Sequence, residues 1–469
     1  MGLFYKPDDG WAADFIPFFW NGEYHLFYLK DYRDEHGHGL GTPWFHLGTR
    51  DFVNFTDYGE ALPRGRPDEQ DLYVFTGSAI ERNGLFHIFY TGHNHILAED
   101  GKPLQAVMHA TSSDLVHWTK DPSGTFWADT SRYDMNDWRD PFVLWNEEAG
   151  EYWMLLAARL KGGPSNRRGC IALAASKDLA NWEIRDPFWA PNLYFTHECP
   201  DLFRWGDWWY LIYSTFSERT VTHYRMSRSL SGPWIAPVND TFDGRSFYAA
   251  KTAGNGKRRF AFGWNPTRLG NKDTGEWQWG GSLVVHELVQ APDGSLLVKV
   301  PHEVDKQFSK TANLSPRPKI GEWKISGRSV SVEAIGSFAW CRLAEMPEIC
   351  RVTTTVTWSP GTRGCGVILR ADKMLDRYYQ IRLEPGTSRI VFDRWPRPGD
   401  QPFMLERPLD VSKGQPATIS VFVEGSIVEV YVNDIIALSA RAYDHPAGSV
   451  GLFVSEGQAT FSNAKVSTL

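Results

Sequence analysis

NGEYHLFYL at residues 21–29, NGLFHIFYT at 83–91, GEYWMLLAA at 150–158 and GDWWYLIYS at 206–214 are four versions of one segment. Each opens on a turn containing Gly, Asn or Asp and continues as an apolar strand with period-2 character. KRRFAFGWN at 257–265 is a fifth, weaker version. A second segment follows most of them: HLGTRDFVNF at 46–55, HATSSDLVHW at 109–118, LAASKDLANW at 173–182 and YRMSRSLSGPW at 224–234. It reads as a short strand, a turn with Ser, Thr or Asp, and an aromatic anchor. Self-similarity at a spacing of tens of residues, with several strands per unit, marks a β-propeller. Five copies predict five blades over residues 1–300. In such a fold the inner strands gather around one axis, so residues at the starts of corresponding strands converge on a central pocket.

Outside this region the pattern changes. Residues 301–322 are polar, Pro-containing and aperiodic, and read as a linker. From 323 to 469 alternating strands return, among them VFVEGSIVEVYVN, whose Glu-Gly-Ser between two alternating runs predicts a hairpin. Seven or more closely spaced strands predict a β-sandwich. The expected fold class is therefore all-β.

Composition narrows the function. The chain of 469 residues has 49 Lys plus Arg against 56 Asp plus Glu, a net charge of −7 without a basic stripe, which argues against nucleic acid as a partner. No apolar run approaches the ~18 residues of a membrane span. The five cysteines include no C-x-x-C pair, and the amino terminus, MGLFYKPDDGWAADF, has no apolar leader; both fit a cytoplasmic protein. Aromatic residues reach 14%, with 21 Trp. Their flat rings suit sugar faces as well as β cores.

Three acidic residues stand ahead of repeated strands: Asp14 before the first, Asp140 (in WRDPFVLW) before the third, Glu198 (in THECPDLFRW) before the fourth. Most acidic residues are solvated turn residues or caps. A shared blade position and apolar flanks set these three apart. Like charges in one pocket raise one another's pKa, and glycoside hydrolysis needs such a set, one carboxylate to attack or activate water and one carboxylic acid to protonate the leaving oxygen.

At these residues the chain resembles glycoside hydrolase family 32, the invertase, inulinase and levanase group, within a clan shared with the arabinanase-like family 43. W-A-A-D at 11–14 stands where the family has W-M-N-D, W-R-D-P at 138–141 carries R-D-P, and H-E-C-P-D at 197–201 carries E-C. FTGSAI at 75–80, SFYAAK at 246–251, GWNPTR and WGGSLVVHEL match further segments. The resemblance implies a double-displacement mechanism with retention: Asp14 as nucleophile, Asp140 as transition-state stabiliser, Glu198 as acid/base with a raised pKa. It implies a small oligosaccharide substrate held by Arg139, Ser78 and Tyr248. Trp11, Trp20, Trp44, Phe75 and Trp264 are candidate pocket walls, with core packing as the competing reading of each. The first motif departs from N-D-P-N-G: Ala13 replaces Asn, Phe15-Ile16-Pro17 replace Pro-Asn-Gly, and Leu29 replaces a strand-ending Gln. Two polar contacts to a fructosyl unit are thereby absent. A fructofuranosyl unit, cleaved or transferred, is the first reading. An arabinofuranosidase or arabinanase-like hydrolase, or a non-catalytic carbohydrate-binding propeller, are the alternatives.

No G-x-S-x-G elbow and no phosphate loop occurs. His36 with His38, and His93 with His95, form H-x-H pairs whose i, i+2 spacing on a strand would suit a metal. Both lie in Gly- or Asn-containing stretches and read as pocket rim. No metal and no cofactor is expected.

Overall fold

The computed structural model describes residues 2–411 and 415–469, and nearly all their regular structure is β-strand. Up to residue 300 the strands form five antiparallel groups. These start on Trp11–Trp20, Tyr73–Arg82, Tyr133–Asn146, Glu198–Trp205 and Tyr248–Gly254. The repeated segments supply the second strands, Glu23–Asp31, Leu85–His93, Glu151–Leu160, Trp208–Thr215 and Arg259–Arg268. Each starting strand neighbours the next, and Tyr248–Gly254 neighbours Trp11–Trp20, so the series closes on itself. Closure is direct: Ala12 pairs with Gly281 of the strand Trp277–Gln290. A Cβ at Gly281 would lie 1.8 Å from the Asn265 carbonyl oxygen, which demands glycine there.

The sequence reading puts Asp14, Asp140 and Glu198 ahead of the inner strands. The structure puts them in those strands, and the repeated segments one strand further out. The starting strands escape a period-2 search because a bulge breaks their alternation. Asp14 and Phe15 stand opposite the single residue Tyr28, Asp140 and Pro141 opposite Leu156, Cys199 and Pro200 opposite Tyr213, Ala249 and Ala250 opposite Gly263. The first residue of each bulge has positive φ: 44° at Asp14, 57° at Asp140, 51° at Cys199 and 50° at Ala249. Each such non-glycine residue costs about 1 kcal/mol or more, and the bulge re-aims its side chain. Asp14 and Asp140 thus occupy equivalent positions, whereas Glu198 sits one residue earlier and corresponds to Arg139 and Tyr248.

The second repeat has an equally local cause. Thr49, Ser112 and Ser176 accept hydrogen bonds at their hydroxyls from the N–H groups of Phe52, Leu115 and Leu179. Asp51, Asp114 and Asp178 accept from two backbone N–H groups of the same turns. Phe52, Leu115 and Leu179, at positive φ, drop into the core.

The remaining strands build around a separate core containing Val352, Val367, Ile381, Val421 and Leu452. Ser449–Thr468 pairs with Gly364–Ala371 along 449–455 and with Ile349–Trp358 along 459–467, changing partner at Glu456, whose φ is 48°. Ala417–Glu424 turns into Ile427–Val432 as the predicted hairpin. Within 301–322 the structure has a helix, His302–Asp305, and two strands, Lys310–Thr311 and Arg317–Ile320, that pair with Ser449–Thr468 and Ser329–Glu345. Their short, polar runs carry no periodic signal.

A buried polar seam joins the two cores. His286 bridges Asp243 (3.0 Å) and the Tyr431 hydroxyl (2.9 Å). Ser439 Oγ lies 2.6 Å from both Asp243 Oδ2 and Glu429 Oε2. Burial and the Asp243 charge push the Glu429 carboxyl well above the ordinary carboxylate range. Asp243, His286 and Glu429 are the one group among the described residues spaced for a metal, but each already has hydrogen-bond partners. The H-x-H pairs do not share a strand face: His36 and His38 lie on the short helix Glu35–His38, and His95 starts a helix after His93 ends a strand. All five cysteines are buried and free. No helix of the described residues is long and apolar enough to cross a membrane.

Candidate active site

The starting strands surround a cavity of about 580 Å³. Asp14, Arg139, Asp140, Glu198, Tyr248 and Trp264 all line it, as does Phe75. The bulges re-aim Asp14 and Asp140, while Arg139, Glu198 and Tyr248 reach the same cavity from the paired position just before each bulge.

Asp14 is held from both sides. Thr76 donates its hydroxyl to Oδ2 at 2.5 Å, and the Trp264 indole N–H donates to Oδ1 at 2.9 Å. Burial, with smaller contributions from the Asp140 and Glu198 charges, still pushes its pKa up to about 7. Asp140 accepts from the Cys199 N–H at 2.9 Å, while its own N–H donates to Thr91 Oγ1 at 2.7 Å. Burial raises Asp140 to about 6 against the opposing pull of Arg139. Glu198 receives Arg139 Nη2 on Oε1 at 3.0 Å and the Tyr248 hydroxyl on Oε2 at 2.6 Å. Burial and the neighbouring Glu198 keep Tyr248 protonated, so it is a fixed donor. Arg139 also donates to Asp137 at 2.8 Å and to Thr196 at 3.2 Å, which locks its guanidinium.

Three of the residues named as walls, and one as a contact, lie elsewhere. Trp11 lines a separate cleft, under the Lys6 ammonium and the Arg33 guanidinium. Trp20 stacks on Phe18 and meets Phe86 edge-on near the outer end of its strand. Trp44 is fully buried against Phe27 and Tyr90. Ser78 accepts the Val143 N–H at 3.0 Å and so ties two strand groups together. Thr76, two residues earlier, is the one that reaches the cavity's carboxylate. The FTGSAI segment signalled the region, but alternation does not count across the bulge between Phe75 and Gly77. Sequence reasoning also missed Asp137, Arg245 and the rim aromatics Phe195, Phe216, Trp277 and Trp279. The run EWQW at 276–279 was the available signal for the last two.

Thr76→Val is expected to move the acid limb of kcat/KM upward by roughly one pH unit. The lost donor had favoured the Asp14 carboxylate, and kcat/KM follows the ionisation of the free enzyme. A pH–rate profile checks this; an unmoved limb would remove Thr76 from any role in setting the Asp14 charge.

Carboxylates gathered in one cavity, beside a locked guanidinium and an indole wall, are the equipment of a glycosidase. Residues 4–301 match the family model for the glycosyl hydrolases family 32 N-terminal domain, and residues 316–468 match that for its C-terminal domain. The chain belongs to glycosyl hydrolase family 32. It is 25% identical to a sucrose-6-phosphate hydrolase of Escherichia coli, over 97% of this chain and 92% of the relative. It is 24% identical to a levanbiose-producing levanase of Bacillus subtilis, over 98% and 89%. In fold it resembles fructan 1-exohydrolase IIa from Cichorium intybus, with a TM-score of 0.76 at 16% identity, covering 99% of this chain and 96% of that one. Exo-inulinase from Aspergillus awamori gives 0.72 at 19% identity, with the same coverage.

Proposed function

We propose that the chain is a retaining furanosidase acting on a β-fructofuranosyl unit of a small oligosaccharide. The observation that carries this is the pairing of Asp14, held by Thr76 and Trp264, with Glu198, held by Arg139 and Tyr248, in one cavity. Asp14 attacks the anomeric carbon as the bond to the leaving oxygen breaks. Glu198 gives that oxygen its proton. The resulting glycosyl ester is opened by water, or by a sugar hydroxyl, whose proton returns to Glu198. Asp140, at the bulge position equivalent to that of Asp14, faces the ring and strengthens its contact as positive charge develops there. The names of the relatives support fructose as the sugar.

The closed series of five strand groups supports a five-bladed β-propeller over residues 1–300, and the partner-switching strands a β-sandwich over 323–469. The stretch 301–322 connects them. Five free buried thiols support a reducing, cytoplasmic setting.

Product analysis by carbon NMR tests the reading, with sucrose, inulo- and levan-oligosaccharides and arabinofuranosides as the panel. Free fructose or a new fructosyl linkage is expected, and neither with Asp14→Ala. Free arabinose alone would make the protein an arabinofuranosidase. Sugar binding without turnover would make it a binding protein.

A further inference from the structure

Lys251 is buried, 2% exposed, on the strand Tyr248–Gly254 and outside the lining of the cavity. Its Nζ donates to the Pro200 carbonyl at 2.9 Å and lies 5.1 Å from the centre of the Phe142 ring. One side chain of the fifth strand group thus reaches the fourth, Glu198–Trp205, and the third, Tyr133–Asn146. Pro200 is the second residue of the bulge that follows Glu198. The first, Cys199, donates its N–H to Asp140 at 2.9 Å. The ammonium therefore grips the short piece of chain that separates the acid Glu198 from the contact that holds Asp140.

The other charges near the axis are already matched. Arg139 faces Asp137 and Glu198. Asp201 accepts the Thr252 N–H and the Thr252 hydroxyl at 2.6 Å each, and that hydroxyl accepts from Arg259 at 2.7 Å. Cys199 and Tyr248 stay protonated. Lys251 itself forms no salt bridge with a described residue, and the negative charges left facing it are those of Asp140 and Asp14. Burial pulls Lys251 below the ordinary lysine range, and the groups at Cys199, Asp201, Asp140 and Asp14 oppose that pull. Burial raises Asp140, and after Arg139 and the Cys199 N–H, Lys251 helps to hold it down. A buried ammonium is costly unless opposite charge compensates it, and a cation favours the ionised form of a nearby carboxyl.

We propose that Lys251 is a positioning residue of the catalytic centre: its ammonium pins the Cys199–Pro200 bulge between Glu198 and Asp140 and supplies the buried positive charge that Asp140 and Asp14 face. This rests on the glycosidase reading of the cavity. The two roles are separable. The hydrogen bond acts on geometry, by fixing the chain from which Glu198 reaches the leaving oxygen and Cys199 reaches Asp140. The charge acts on ionisation, because it lets both aspartates be carboxylates at once beside Glu198. Without it their mutual repulsion keeps a proton on the pair to higher pH. Lys251 lies outside the cavity lining, so neither role changes what the substrate touches.

The test uses Lys251→Gln, which keeps a donor for the Pro200 carbonyl without the charge, Lys251→Met, which loses both, and Lys251→Arg, which keeps the charge. Sucrose and inulo-oligosaccharides are the substrates. In Lys251→Gln the acid limb of kcat/KM should rise by roughly one pH unit, with KM near that of wild type. Lys251→Met should show the same rise and a further fall in kcat of roughly 10- to 100-fold at every pH. Lys251→Arg should bring the limb back toward its wild-type position. Infrared titration of the Asp14 and Asp140 carboxyl bands, assigned with Asp14→Asn and Asp140→Asn, reads the same shift without turnover. An acid limb and carboxyl bands unmoved in Lys251→Gln overturn the proposal and leave the glycosidase reading standing. No fructoside turnover by wild type, with bands that do move in Lys251→Gln, keeps Lys251 as the counter-charge and sinks the furanosidase. Should the variants fold poorly, nitrogen NMR of wild type labelled at its lysine side chains decides: an ammonium at Lys251 at neutral pH supports the proposal, and a neutral amine overturns it.

Discussion

Asp14→Asn is expected to lower kcat/KM by roughly four orders of magnitude while making the folded protein more stable at neutral and alkaline pH. The two effects share one cause. Asp14 sits at a positive-φ bulge residue, in a cavity that pushes its pKa from the ordinary 3.8 to about 7. The folded form therefore keeps a proton that the unfolded chain gives up. Its stability falls as pH rises from about 4 to about 7 and stays reduced above that, by up to roughly 4 kcal/mol. An amide does not titrate, so the loss disappears. Part of the gain is offset, because Thr76 and Trp264 both donate to this side chain and an amide offers one acceptor oxygen. Thermal melts of the two proteins between pH 4 and pH 8 check this: the advantage of the variant should widen with pH. A constant gap would mean that Asp14 carries no raised pKa.

Glu198→Gln is expected to lower kcat about 10²- to 10⁴-fold on substrates with an alkoxide-like leaving group. The loss should be far smaller on a fructoside whose leaving group departs without a proton. Glutamine keeps an acceptor for Arg139 or Tyr248 but has no proton to give and none to take back. The glycosyl ester at Asp14 should therefore accumulate with the activated substrate. Added azide, which attacks without base assistance, should then restore turnover and yield a fructosyl azide of retained configuration. An azide product of inverted configuration would exclude the covalent step at Asp14. An equal loss on both substrates would take Glu198 out of the acid role.

Much of the fold was legible because the outer strands obey local rules. NGEYHLFYL and its copies alternate, and the Asp51, Asp114 and Asp178 turns are built from residues within four positions of one another. The inner strands were not legible as strands. Each carries two residues opposite one, so no single period runs through WAADFIPFFW or WRDPFVLW. The same bulge explains why Glu198 falls one position away from Asp14 and Asp140 despite a similar sequence context. It also explains why Ser78, chosen from FTGSAI, proved to be a tie between strand groups while Thr76 holds the carboxylate. Trp20 and Trp44 show the limit of composition: an aromatic residue suits a sugar face and a β core equally, and only packing separates the two.

The sequence by itself determined the all-β class, the fivefold repetition, the family, and the three carboxylates with Arg139, because each is written in residue type and short-range spacing. Tertiary structure alone decided which side chains meet. Asp14 and Trp264 are 250 residues apart and Glu198 and Tyr248 are 50 apart, and no local pattern encodes contacts made by closing a ring of strands. Nor does any pattern show that Arg139 is held by Asp137, Thr196 and Glu198, whereas Arg245 makes no hydrogen bond or ion pair with a described residue. The difference is a matter of what stands across the cavity, and that is fixed only when the chain has folded around it.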